Sequence, residues 1–332
     1  MGKTAIFTLV VTIALMPTPE VYAQESQVIE IKSRKIEHFK IGSDQSRFGP
    51  LEFIGGLEMT SSSRDFGAWS GISIAPDQTS FVGVADTGFW ITGQIERDAS
   101  NVPIGVTAKM QEISGADGTS ITAKWQADAE GIALSGTTAL VSYERAHRIA
   151  VYDVTTKDNP LLLREFAPPV PLYELRDNRG FEAIALAPET SPSAGALVGV
   201  SEKSLDKNQN IMAFVQPIKE APFEFSVKRI DEFDVTDMAF TPSGDMVLLE
   251  RRFNVSDGIG MRLRRIKGAA LQKGKTVDGE ILFEADMGFQ IDNLEGMDIT
   301  ADADGSARIT LVSDDNHSLL QRNLLLEFKL IE

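Results

Sequence analysis

The chain predicts an all-β fold, a single β-propeller of five or six blades, and three observations predict it. One arrangement recurs five times: a short apolar strand opens just after a polar or acidic residue, a turn follows, and a second apolar strand ends on a carboxylate. The openings are Ser70-Gly71-Ile72, Glu130-Gly131-Ile132, Glu182-Ala183-Ile184, Thr236-Asp237-Met238 and Glu295-Gly296-Met297, and the matching second strands end at Asp86, Glu144, Glu202, Glu250 and Asp314. The units return about every 50–60 residues, the period of propeller blades and related arrays. Apolar patterns of helical period are absent over useful lengths. The start of one strand and the end of its antiparallel neighbour share an edge, so these carboxylates should ring one face of the disc. A β-sandwich also has strands at roughly 8–12-residue spacing, but it does not predict matched acids.

The first residues read as an export signal, with Lys3 as a small positive region, Ala5 to Met16 as an apolar stretch and Val21-Tyr22-Ala23 as a cleavage site before Gln24. The expected organisation is therefore a signal peptide over 1–23 and a propeller domain over 24–332, exported to the periplasm or secreted. The apolar run is too short to span a bilayer, and no later stretch reaches about 18 apolar residues. Val28 to Ile31, Lys35 to Phe39 and Leu51 to Met59 read as strands before the first repeat.

The first module holds strands at Gly71–Ala75, Phe81–Ala85, Trp90–Glu96 and Val102–Ile113. The second holds Gly131–Leu134, Ala139–Tyr143, Arg148–Val154 and Leu161–Phe166, followed by a proline-rich link to Pro171 and a helical turn at Leu172–Arg176. In the third they are Phe181–Ala187, Ala196–Val200, Ile211–Pro217 and Phe223–Ile230; in the fourth, Met238–Thr241, Met246–Leu249, Met261–Lys267 and Glu280–Glu284. Turn signals such as Thr241-Pro-Ser-Gly244 and Asp302-Ala-Asp-Gly305 separate them. The last module shows only three strands, Gly296–Thr300, Arg308–Val312 and Leu324–Leu330. A strand from between Gln27 and Phe39 is expected to complete it and so remove the open edges.

No cysteine is present, so neither a disulfide framework nor thiolate chemistry is available. A net charge of −16 argues against nucleic acid and anionic lipid as partners and suits a protein that handles cations, or a small anionic ligand bridged by one. The chain is expected to act as a monomer.

The densest segment is Asp128-Ala-Glu130-Gly131, two carboxylates spaced to share a hard cation beside a glycine that admits close backbone approach. Calcium takes six to eight oxygen ligands, whereas zinc prefers histidine or cysteine, and only His38, His147 and His317 occur. The alternative is that Asp128 and Glu130 bond backbone amides at the strand start. The candidate metal ligands are Asp86, Asp128, Glu130, Glu182, Glu295 and Asp314, with possible calcium. Basic residues follow the strand-end acids at Arg145, Lys203 and Arg251, and they could bind a substrate anion or pair with neighbouring acids. Asp128, Glu130 and His317 are the catalytic candidates, His317 as a proton carrier or else a solvated loop histidine. The chain contains no nucleophile elbow and no nucleotide-binding glycine loop.

The motifs Phe66-Gly67-Ala68-Trp69-Ser70-Gly71-Ile72, Asp86-Thr87-Gly88-x-Trp90, Asp128-x-Glu130-Gly131, Glu144-Arg145-x-x-Arg148-Ile149, Asn178-x-Gly180-x-Glu182-Ala183, Leu249-Glu250-Arg251 and Asn293-x-Glu295-Gly296-Met297 together resemble the esterase-like phytase domain family of exported bacterial proteins. They run over roughly residues 51–330 in matching order. Ala68-Trp69 departs from the family's usual Gly-Leu, and Ala85 stands where serine is usual. The resemblance implies a propeller and hydrolysis of phosphate or carboxylate esters, without a settled active site. Two rivals remain open: a non-catalytic propeller that binds a small ligand or protein, and a metal-dependent lactonase-like sugar enzyme.

Overall fold

A computed structural model describes residues 25–121, 123–156, 158, 160–172, 175, 180–254 and 258–331. The proposed signal segment and Asn178 lie outside these residues, as does part of the Leu172–Arg176 turn. The strands form five sheets, each the blade of a propeller. The inner strands are Trp69–Ile74, Ala129–Ser135, Ala183–Leu186, Asp234–Phe240 and Asn293–Ala301, and each touches the next around a closed ring.

Apolar packing explains why the strands are runs rather than alternations. Both faces of a blade are covered by neighbours, so a second strand such as Ala307–Asp314 is buried along its whole length. The core accordingly divides into five clusters, one at each blade junction. Val84 and Trp90 of the first blade meet Ile132 and Tyr143 of the second, for instance, and Ala133 and Ile149 of the second meet Ile184 and Phe214 of the third.

The glycines of the recurring motif sit where inner strands crowd the axis. A Cβ on Gly131 would lie 2.1 Å from the Glu182 carbonyl oxygen, and one on Gly71 would lie 3.0 Å from that of Glu130. Gly296 would press on the Gly71 backbone at 3.2 Å. Where the fourth blade has Asp237 instead, its buried carboxylate accepts the N–H groups of Met238 (2.8 Å) and of Met297 in the next blade (2.6 Å). Asp298 likewise accepts Ile74 N–H across the junction of the last and first blades, at 2.5 Å.

Closure draws on the N-terminal region, with one revision to the sequence reading. Ile31–Ile36 does join the last blade, but as its fifth strand. The fourth place beside Asn323–Leu330 belongs to Leu51–Ser61, whose longer apolar run pairs along the whole C-terminal strand. Gln27–Ile29 pairs instead with the outer strand of the first blade, Pro103–Glu112, so one short segment stitches two blades together. Phe39 anchors the segment that follows, packed against Phe48, Phe53, Phe283, Phe289 and Phe328 at centroid distances of 4.8–6.0 Å.

Candidate functional site

Strand register defines three rings of equivalent positions at one end of the axis. Four of the inner strands carry a bulge where they meet the ends of their partners, at 129/143, 235/250, 294/313 and 69/85, and the bond from Glu202 N–H to Gly180 O gives the third blade the same alignment. One residue before this pair on the inner strand come Ala68, Asp128, Gly180, Asp234 and Asn293. One residue after it come Ser70, Glu130, Glu182, Thr236 and Glu295. The ends of the second strands place Asp86, Glu144, Glu202, Arg251 and Asp314 at the third set of positions. The backbone bonds are shared: Asp86 N–H to Ala68 O, Glu144 N–H to Asp128 O and Glu202 N–H to Gly180 O, at 2.9–3.1 Å.

This register moves one residue out of the ring. Glu250, expected on the rim, sits one position early, opposite Val235, and its side chain is fully buried against Arg262 and Arg264. Arg262 in turn lies 4.0 Å over the Phe233 ring. The rim position goes to Arg251, which donates to both Asn293 and Glu295.

The remaining carboxylates converge. Ligand atoms of Asp128, Glu130 and Glu144 lie within 4.8 Å of one another, and so do those of Glu144, Glu182 and Glu202. Glu144 belongs to both groups, so the two form one continuous acidic wall across the second and third blades. All donors are oxygen, which suits a hard cation such as calcium. Asp86 and Glu295, from the first and last blades, are close enough to raise the proton affinity of Glu130 in this wall and of Asp314.

Crowding in a protein-lined axis favours the protonated forms. Glu130 retains some open surface yet is surrounded by protein; burial pushes its carboxyl well above the ordinary range, and Glu144, Asp128, Glu295 and Asp86 add repulsion. Glu182 is raised by burial, then by Glu202, Glu130, Glu295 and Glu144. Glu144 is pushed up to about 7 by burial, then by Glu202 and Asp128, against the opposing Gly180 N–H and Arg145. Glu202 also reaches about 7, where burial outweighs the attraction of Arg251. Burial brings Asp314 to about 7 despite the bond it accepts from Asn316 N–H. Burial disfavours the Arg251 charge, but Glu295, Glu182 and Glu202 outweigh it and hold the guanidinium protonated.

The three basic candidates are all engaged by acids. Arg145 Nε lies 2.8 Å from Asp128, Lys203 Nζ 2.5 Å from Asp234, and Arg251 pairs with Glu295. His317 is exposed in the turn after Asp314, outside the acidic wall. The histidine beside the wall is His147, three residues after Glu144, whose Nδ1 and the Glu144 Cγ would both lie within 3.2 Å of a Cβ on Gly180. Its proximity was not legible in the chain, because Gly180 belongs to the next blade. Glu144 and Glu202 were recognisable as rim acids, but only the register shows that they share ligand space with Asp128, Glu130 and Glu182.

No curated protein matches the chain. Solved structures similar to it are propellers of distant sequence. A glutaminyl cyclase from Myxococcus xanthus is 12% identical with a TM-score of 0.45, covering 85% of this chain and 97% of its own. A PQQ-bound aldose sugar dehydrogenase from Streptomyces coelicolor is 13% identical with a TM-score of 0.44, covering 86% and 99%. Similarity at this level carries no argument about chemistry. The family is another matter: residues 64–317, well over half of the chain, match the model of the phytase-like family, described by the esterase-like activity of phytase, and the chain belongs to that family.

Proposed function

We propose that the protein is an exported, calcium-dependent hydrolase of phosphate or carboxylate esters, acting at the acidic wall. The observation that carries this reading is the pair of carboxylate triads sharing Glu144. Asp128, Glu130, Glu144, Glu182 and Glu202 would hold the cation, and their mutual repulsion is relieved by it. When bound, calcium supplies charge for the ester oxygen and lowers the pKa of an attacking water. Asp314 stands outside both triads and, pushed up to about 7 by burial, gains and loses its proton near neutral pH. It is the carboxylate suited to take a proton from the water and return it to the leaving group. Arg145 and Arg251 orient Asp128 and Glu295, and Asn293 donates to the same Glu295 oxygen as Arg251.

Hydrolysis of a panel of phosphomonoesters, acyl esters and lactones, with and without calcium, tests the reading. Calcium-dependent turnover that falls at least tenfold in both Glu130→Gln and Asp314→Asn supports it, with calcium affinity lost in the first and kept in the second. Turnover of no member of the panel at any calcium concentration rejects it.

A second reading is favoured by one observation. Arg145, Lys203 and Arg251 are each already paired with an acid, which suits a module that binds a cation, or a cationic ligand, without turning over an anionic ester. Tight calcium binding with an inert panel would select it.

A further inference from the structure

A cleft of about 340 Å³ opens on the second blade, lined by Ile121, Trp125, Ala146, Arg148, Leu162 and Glu165 among others. Its volume lies at the lower end of the ~300–1,000 Å³ common for small-molecule sites. Trp125 is 55% exposed there, whereas the other two tryptophans, Trp69 and Trp90, are each 1% exposed in the core. A large aromatic ring left in solvent at the mouth of a cleft is an unusual expense of apolar surface, and indole faces stack readily on planar groups.

The same two segments build the cleft and the acidic wall. Trp125 belongs to the single helical turn Lys124–Ala127, which Asp128 ends, so the indole and the first carboxylate of the wall are three residues apart. Ala146 stands two residues after Glu144 in the facing turn. Arg148 fixes the two segments together: it donates to Gln126 O at 2.6 Å, lies 3.8 Å over the Tyr143 ring and pairs with Glu165 at 2.7 Å. Its charge is thereby satisfied, and with Glu165 the floor is close to neutral. What remains presented to a ligand is chiefly Trp125, Ile121, Leu162 and Ala146, a surface for an uncharged, apolar ring.

We propose that this cleft is a subsite for the aromatic portion of an ester, an aryl or benzyl group stacked on Trp125, whose phosphate or carboxylate head is directed toward the acidic wall. The inference rests on the cation-centred reading above for the position of the head group, and it assigns the part of the ligand that the wall does not contact.

Benzylphosphonate and methylphosphonate carry the same kind of head and resist hydrolysis, so they separate ring binding from turnover. Titration calorimetry with the full protein in calcium should show benzylphosphonate binding at least tenfold more tightly. Because the other two tryptophans are buried, acrylamide quenching of the emission reports on Trp125, and bound benzylphosphonate should protect it. Trp125→Ala should abolish the tenfold preference, and Trp125→Phe should keep most of it. Equal affinities for the two phosphonates, binding of neither, or full quenching with benzylphosphonate bound would each overturn the subsite. Protection of Trp125 in a protein that hydrolyses no ester leaves the subsite standing and removes the hydrolase. Calcium-dependent turnover with Trp125 unprotected does the reverse.

Discussion

Arg251 holds in the fourth blade the position that Glu144 holds in the second, at the end of the strand that closes the acidic ring. The one cation in that ring of five neutralises Glu295 across the blade junction, which lets the opposite wall stay densely acidic. Arg251→Met should therefore leave Glu295 buried without its charged partner, with only the Asn293 amide donating to it. Removing one member of a buried pair costs ~3–5 kcal/mol. We expect a loss of that order in chemical denaturation without calcium, and partial recovery when calcium is added. A variant as stable as the parent would show that Glu295 is neutral in the folded state.

Glu250 provides the contrast. Its carboxylate serves the buried Arg262 and Arg264 and lies away from the ring. Glu250→Gln should cost stability, ~3 kcal/mol or more by the same argument, while calcium affinity measured by calorimetry on the folded variant stays within twofold of the parent. Glu182→Gln should behave oppositely, weakening calcium at least tenfold and leaving the denaturation midpoint in chelator unchanged or higher, because it replaces a carboxyl whose ionised form burial and its acidic neighbours disfavour. Equal effects of the two substitutions on calcium would contradict the register assigned to the fourth blade.

The contrast also marks how far the sequence could be read. Strand order within the modules and the shared end of the disc that carries the acids follow from the repeating motif, because strand pairing turns a linear period into a ring; the choice between five and six blades does not, and the structure gives five. Glu250 follows the apolar run Met246–Leu249 as Glu144 follows Ala139–Tyr143, but it stands where Tyr143 does and Arg251 takes the place of Glu144, a difference visible only in the pairing with the inner strand. Leu51 to Met59 reads as a strand in the sequence, but its place in the last blade does not, since pairing between chain ends depends on tertiary packing and not on spacing. The pairing of Arg145 with Asp128 and of Lys203 with Asp234 was one of two possibilities in the sequence, and the geometry selects it.

The clasp at the N-terminus should carry measurable stability. Phe39 is wholly buried among five phenylalanines drawn from the N-terminal segment and the last two blades. Phe39→Ala is expected to cost ~3–5 kcal/mol, the range for truncating a buried aromatic. Deletion of residues 24–40 should cost more, because it also uncovers the edges of the first and last blades. A deletion variant with an unchanged melting temperature would rule out this account of ring closure.

Stability should fall as pH rises through the acidic range, the reverse of ordinary acid denaturation. Glu144, Glu202 and Asp314 have folded-state values of about 7, against ordinary values of 4.5, 4.5 and 3.8. Between these limits the folded protein binds more protons than the unfolded chain, so the stabilisation from these groups is fully present below pH ~4 and is lost by pH ~7. Asp77, held at about 2 by bonds from Thr79 and Ser80 that outweigh its burial, works in the other direction only at lower pH. In chelator, the melting temperature should therefore drop by at least ~5 °C from pH 5 to pH 7.5. Calcium should cancel most of that drop, because it binds the ionised carboxylates and stabilises the fold by about 2.7 kcal/mol at a hundredfold excess over Kd. Its benefit should shrink toward pH 5, where protons compete for the same oxygens. Scanning calorimetry at both pH values, with calcium and with chelator, measures all four quantities. A melting temperature that rises from pH 5 to pH 7.5 in chelator would mean that the wall is ionised and internally paired without a metal. A calcium shift of equal size at both pH values would place the ion elsewhere on the protein.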